Sequence, residues 1–515
     1  MIVTLPQYRP DTRIEADLCV IGAGPAGIAV AREFLDGDLR VLVVESGGVK
    51  PRPKDQVLNK GRSVGAAFRG LEEGRVRAFG GTTWAWAGQC VAQEPEAFGP
   101  RSWVPGSGWP IGPQHLKAYS RLAADFFGIS SQEDADDPWS AAGVKPPGVD
   151  ERHLTVGASL FADPLSAGRA HLDAFRRSHS VTTLLEATVT RLLLTRSGRS
   201  VGEAEVSTLD GDRRRINARA FVLCCGGIEN ARLLLLSGDL ELRLGALGGY
   251  FQDHLLARVA RLQPLDRPLL HDQFALLRKG GRTRMPRLSL SANQQREHAV
   301  LACHAYVGWD PPASGPALRS LLSPSETLGG RARSLATLAG DVPELVSAAA
   351  RYRRGLSSAP RRGPMWLDVR AEQAPDPWSR VTLGRDPDPL GLPEATVDWR
   401  LGDQARRTMR AMVDVVGAEL RRLDLAVTEP MEWLDDPHSW SSHVTDAFHH
   451  MGTTRMSEDA RTGVVDASCK VHGLANVFVA GSSVFPAAGA ANPTLTLVAL
   501  AIRLADHLKA SMTRR

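Results

Sequence analysis

The chain has 515 residues, 62 Lys and Arg against 57 Asp and Glu, a net charge of +5 and 43% apolar residues. That length suits roughly three domains, and short basic runs such as Arg213-Arg214-Arg215, not interleaved with aromatics, point away from nucleic acid. With no long apolar run and no apolar signal core, neither a membrane span nor export is expected, and a cytoplasmic enzyme is the default.

In chain order, Asp17 to Ile21 reads as a buried strand, Gly22-Ala23-Gly24-Pro25-Ala26-Gly27 as a turn opening a helix through Ile28, Ala31 and Phe34, and Val41 to Val44 as a second strand ending at Glu45. Gly22, Gly24 and Gly27 serve the tight turn, the backbone approach to a pyrophosphate and the packing of helix on strand. The helix N-terminus then faces the phosphates with partial positive charge. Glu45 suits a ribose, whose hydroxyls donate to a carboxylate. The alternative is a glycine-rich turn in some other α/β sheet.

Further on, Val181 to Thr195 and Gly202 to Leu209 alternate like strands, and Ala220 to Cys225 is a buried strand running into Gly226-Gly227 and a helix from Glu229 to Leu236. Gly226 again offers backbone amides to a nucleotide. Asn476 to Ser482 repeats the strand pattern, and a last helix runs from Pro493 to Leu508. The fold class expected is α/β, a discontinuous Rossmann-like domain whose sequence-distant strands share one sheet, with an antiparallel-sheet cap. Its pieces are 1–95, 181–255 and 438–515, interrupted by an intermediate segment 96–180 and a substrate-binding segment 256–437. Within the latter, 311–362 combines flanking prolines with leucines at helical spacing and reads as a lid or partner surface. The six cysteines lack CxxC spacing and read as buried core residues, and no paired His/Cys motif supports a metal.

Four strings then carry a resemblance: Phe448-His449-His450-Met451-Gly452-Thr453-Thr454-Arg455-Met456, Ala491-Asn492-Pro493-Thr494, Phe79-Gly80-Gly81-Thr82-Thr83-Trp84-Ala85-Trp86 and Gly249-Tyr250-Phe251-Gln252-Asp253-His254. Together they closely resemble the glucose-methanol-choline (GMC) oxidoreductase family over essentially the whole chain. The resemblance implies FAD rather than NAD, lying extended in the discontinuous domain. It also implies cofactor contacts at Gly80, Gly81, Thr82, Trp86 and Val189, and near the C-terminus at Gly481, Ser482, Pro493 and Thr494. By motif position His449 matches the family's catalytic histidine and Asn492 its second active-site residue. A histidine with an asparagine looks like the pyranose oxidase and choline oxidase branches, which favours sugars, glycosides, aminoglycoside-type pseudosugars or polyols. Where some members carry a histidine joined to the flavin, this chain has Ala85, so non-covalent FAD is expected.

The chemistry of the pair supports this reading. Alcohol oxidation needs an acceptor for the hydroxyl proton, and a neutral histidine supplies one. Asparagine donates to the same oxygen without competing for the proton. It also has a helix-capping reading, since Asn492 precedes Pro493. His450, adjacent to His449, diverges from it on any regular backbone and reads as a supporting residue, while His443, His472 and His254 read as packing or hydrogen-bonding histidines. Trp84, Trp86, Trp103 and Trp109 suit either a sugar-stacking wall or core packing. Reoxidation by dioxygen is favoured over a quinone or another carrier. A lyase on the same scaffold and a non-catalytic flavin-binding protein are the remaining alternatives.

Overall fold

We describe the chain from a computed structural model, covering residues 1–9, 12–129, 137–238, 240–279, 282–310, 346, 350 and 362–512. The expected lid, 311–362, therefore lies almost wholly outside the described residues.

The first sheet forms because short apolar strands from three distant stretches have no other way to bury both faces. Its order is Ile2–Thr4, Val181–Leu185, Val41–Val44, Arg13–Ile21, Arg213–Leu223, Val201–Ser207, Thr188–Leu194. The pairs Arg13–Ile21 with Val41–Val44 and with Arg213–Leu223 are parallel, and Val477–Val479 adds a parallel pair to the end of Arg213–Leu223. The α/β class read from the sequence is the class of the structure. Val181 to Thr195 is not one strand but two, Val181–Leu185 and Thr188–Leu194, separated where Glu186 takes a φ of 59°.

The second sheet runs Ala426–Pro430, Leu255–Pro264, Met365–Ala371, Cys303–Trp309, Arg282–Leu290, Leu154–Phe161, Gln89–Cys90, and its pairings are antiparallel. The helix Asp403–Arg422 packs on it through Met409, Met412, Val413 and Val416, all buried at helical spacing. The segment 96–180 is divided between the layers. Its helix Lys117–Phe126 lies against the last helix, Pro493–Met512, while its strand Leu154–Phe161 belongs to the second sheet.

Among the described residues, no helix is long and apolar enough to cross a membrane. All six cysteines are free, and five are fully buried.

Candidate active site

A cleft of about 1260 Å³, its open mouth included, opens where the parallel strands of the first sheet end. Its wall includes Gly22, Gly24, Glu45, Gly81, Thr82, Val189, Gly226, Gly481, Ser482, Pro493, Thr494 and His449. Residues spread over most of the sequence thus meet at one surface.

Gly22 has a φ of 100°, and a Cβ there would lie 2.6 Å from the carbonyl oxygen of Cys224. A Cβ on Gly27 would lie 1.9 Å from the carbonyl oxygen of Gly22, so Gly27 works behind the wall, letting helix meet strand. Three helices begin at the cleft, Pro25–Arg32, Gly226–Leu235 and Pro493–Met512, each with its first residue in the wall. Neither of the first two is capped by a side chain, which leaves N–H groups and the positive ends of two helix dipoles for an anionic ligand.

Glu45 is buried at the cleft. Its Oε2 accepts the N–H of Ala23 at 2.8 Å and its Oε1 that of Gly47 at 2.8 Å. Burial pushes its pKa up against the pull of those two N–H groups. Ser46 Oγ also donates to Oε1 at 3.4 Å, which leaves Oε2 the freer lone pair for a ribose hydroxyl.

Sequence reasoning missed the polar wall made by Asn59, Arg75, Arg77 and Glu229. Arg75 and Arg77 contact Glu229 at 2.9 and 3.2 Å, and Arg77 also donates to Asn59 at 2.8 Å. Burial alone would raise Glu229, but Arg77, Arg232 and Arg75 hold it down at about 2. The available signal was the alternation Arg75-Val76-Arg77 just before Phe79-Gly80-Gly81, which turns both guanidinium groups to one side.

Four predicted residues are not in the cleft wall: Gly27, Gly80, Trp86 and Asn492. Gly80 is pressed against Gly168, where a Cβ would meet the backbone nitrogen at 2.7 Å. Trp86 donates to the carbonyl of Leu165 at 2.7 Å and packs on Phe127. The other tryptophans are engaged too: Trp84 donates to Phe79, Trp103 donates to Val300, and Trp109 is buried between Phe98 and Phe485. Packing is what the structure shows for this set. His472 Nε2 donates to the carbonyl of Ser457 at 2.9 Å, and His443 stacks on Trp433.

His449 is placed by an interruption in strand pairing. Leu255 pairs with Asp446, and Gln252 pairs with Met451, so four residues on one strand must fit opposite two on the other. Phe448 absorbs the excess with a φ of 61°. Asp253 fills the gap, its Oδ1 accepting the N–H groups of His254, Ala447 and His449 at 2.7, 3.2 and 2.9 Å. The loop thereby brings both His449 and His450 to the cleft wall, with the His450 ring packed against Phe68 and Phe251.

The imidazole of His449 has Nδ1 2.8 Å from His254 Nδ1 and Nε2 3.5 Å from Asn492 Nδ2. Asn492 Oδ1 in turn accepts from the guanidinium of Arg370, which also donates to Gln89 at 3.0 Å. The Arg370 contact orients the amide so that its NH2 points towards His449, a donor beside a potential acceptor. Arg370 stands beside Leu256 and His304 on the second sheet, so Asn492 is held from that sheet. Burial lowers the His449 pKa well below the ordinary histidine value, with His254, Arg370 and His450 adding to it. The ring is therefore neutral at pH 7. Burial likewise takes His450 down to about 3.

Residues 375–501 match the GMC oxidoreductase family. That stretch carries the likeness to the GMC oxidoreductases on the family's C-terminal side. A C-glycoside 3-oxidase of Microbacterium trichothecenolyticum is 28% identical over 66% of this chain and 56% of its own length. A paromamine 6'-oxidase of Streptomyces fradiae is 25% identical over 98% of this chain and 93% of its own. Other relatives at similar distance are dehydrogenases. The fold matches a fungal aryl-alcohol oxidase with a TM-score of 0.59, 16% identity, and coverage of 98% of this chain and 100% of that one. With oxidases and dehydrogenases as its relatives, this chain is an oxidoreductase enzyme with an α/β fold.

Proposed function

We propose that this protein is a GMC oxidoreductase that oxidises a hydroxyl-bearing carbon of a sugar, glycoside, aminoglycoside-type pseudosugar or polyol to a carbonyl, with non-covalent FAD held in the cleft. The observation that carries this reading is the meeting of His449 Nε2 and Asn492 Nδ2, 3.5 Å apart, with His449 in the wall of the cleft that Gly22, Glu45 and Gly226 also line. The residues present fit FAD. Uncapped helix ends at Pro25 and Gly226 suit a pyrophosphate, a built Cβ at Gly226 meets nothing within 4 Å, and the Glu45 oxygens suit a ribose. Ala85 provides no attachment atom. When bound, the flavin accepts the hydride leaving the substrate carbon.

The chain does the rest. Neutral His449 takes the hydroxyl proton, because its lowered pKa leaves a lone pair free across the physiological range. Asn492 donates to the same oxygen and stabilises the negative charge that develops there. The Arg370 guanidinium behind Asn492 adds positive charge on the side where the oxygen becomes alkoxide-like. A polyhydroxylated substrate suits this polar surround, and the C-glycoside and aminoglycoside oxidases among the relatives act on such molecules by name. Dioxygen is the acceptor we favour, a quinone or other carrier being the second reading, and a cytoplasmic setting suits six free thiols.

The test is anaerobic mixing of the yellow holoenzyme with glucose, a C-glycoside, paromamine and glycerol. Bleaching of the flavin by at least one of them is expected, with hydrogen peroxide on readmitting air. A carbonyl product without bleaching would turn the assignment to a lyase. No bleaching across a broad alcohol panel would remove the enzymatic assignment of His449 and Asn492.

A further inference from the structure

We infer that His254 is a positioning residue that decides which nitrogen of His449 is bare, through a directed hydrogen-bond chain that starts at the carbonyl of Gly489. The inference rests on the reading of His449 as the base.

The direction of the chain follows from heavy atoms and valence. His254 Nε2 lies 2.8 Å from the carbonyl oxygen of Gly489, and a carbonyl can only accept, so that nitrogen carries the hydrogen. Burial, assisted by Arg370, lowers the His254 pKa to about 3, so the ring is neutral and holds one N–H. Its Nδ1 is then a lone pair. His449 Nδ1, 2.8 Å away with the two rings at 90°, must donate to it. His449 is neutral too, so its remaining nitrogen, Nε2, is bare, and that is the atom facing Asn492.

The start of the chain is itself fixed. Gly489 N–H donates to Glu372 at 3.0 Å, and Glu372 is clamped by both terminal nitrogens of Arg101 at 2.7 and 2.6 Å, the pair being buried. Gly489 and Asn492 lie three residues apart on one loop. A single loop thus sets both polarities of the site: Gly489 makes His449 an acceptor at Nε2, and Asn492 presents the donor beside it. Without His254 the His449 ring is free to carry its proton on Nε2, and a base protonated at the working nitrogen cannot take a second proton.

The experiment has two arms. In the first, the FAD-loaded enzyme labelled with nitrogen-15 histidine is examined by NMR, the His449 signals being those lost in His449→Gln. Wild type should show His449 protonated at Nδ1 and bare at Nε2, His254→Gln should keep that pattern because its amide can donate to Gly489 and accept from His449, and His254→Leu should lose it. A wild-type His449 protonated at Nε2 would overturn the inference. In the second, flavin reduction is timed with whichever of glucose, a C-glycoside or paromamine reacts fastest. His254→Leu should slow reduction by roughly 10–10³-fold, below the 10⁴ seen where a triad histidine is forced into the wrong tautomer, with KM and FAD content little changed. His254→Gln should recover most of the rate. In a His449→Ala background, His254→Leu should cost nothing further, whereas multiplying losses would show that His254 acts by another route. If His449→Ala itself left the rate intact, the proposed base would fall, and the NMR arm would still decide the tautomer.

Discussion

Asp253 Oδ1 accepts the backbone N–H of His449 at 2.9 Å, and the same oxygen accepts from the neighbouring His254 at 2.7 Å. One carboxylate oxygen therefore ties the backbones of His254 and His449 together. Asp253→Asn keeps an acceptor oxygen and should retain most activity, whereas Asp253→Ala strands buried N–H groups, each costing about 1–3 kcal/mol. The alanine variant should melt at lower temperature and reduce its flavin slowly. Equal melting temperatures for the two variants would contradict this.

His449→Ala should lower the flavin-reduction rate by roughly 10²–10⁴, the range for a lost general base. His450→Ala should do much less, since its ring packs on Phe68 and Phe251. Stopped-flow reduction of both variants checks the assignment, and a larger loss at His450 would reverse it.

Asn492→Ala should slow reduction by roughly 10²–10³, as for a lost oxyanion donor, with FAD content unchanged. Capping of the final helix predicts instead a loss of soluble protein with normal turnover in the remainder. The structure gives Asn492 Oδ1 to Arg370, so Arg370→Met should slow reduction in the same sense by freeing the amide to rotate.

Folding stability should fall on acidification from neutral pH. His171 and His304 are lowered to about 4, and His254 and His450 to about 3, burial being the first cause in each. Below the ordinary histidine value of about 6.5 the unfolded chain binds protons that the folded chain refuses, so stability is present above that pH and is lost as pH falls towards the folded values. Thermal melts from pH 7.5 to 4.5 should show a continuous decline. The depressed value for His449 carries a kinetic counterpart: its proton-accepting form persists below pH 6.5, and the reduction rate should not halve there.

Glu45→Gln should weaken FAD binding by roughly 10–100-fold, since bonds to a charged acceptor contribute about 1.5–3 kcal/mol. Titration of apoprotein with FAD measures it, and unchanged affinity would remove Glu45 from the ribose site. Acid precipitation of the wild type should leave all flavin in the supernatant, whereas flavin bound to the pellet would refute non-covalent attachment.

Much of the fold was legible because its signals are local. Gly22, Gly24, Gly27 and Glu45 sit on a strand, turn and helix within one short stretch, and Val41–Val44 has the bounds its apolar run suggests. The positions of His449 and Asn492 came from motif resemblance, since nothing local to either residue reveals that they approach across 43 residues of chain. The roles of Arg370, His254 and Gly489 were illegible for a physical reason. Each depends on cross-strand register or on a loop carbonyl, and neither leaves a pattern in side-chain type. Arg75 and Arg77 could have been found from their alternation, but a surface arginine pair has the same spelling.

The central strand Arg213–Leu223 finds a parallel neighbour, Val477–Val479, more than 250 residues later, and the helix that closes the cleft, Pro493–Met512, comes later still. A ribosome releases the N-terminal glycine turn long before anything can cover it. The cleft wall is therefore complete only once residues 476–512 have been made, and until then the growing polypeptide waits with apolar strand edges uncovered. Capture of the proposed flavin would follow that point for such a topology, and chains cut short before residue 476 should aggregate or be degraded rather than survive as cofactor-free fragments.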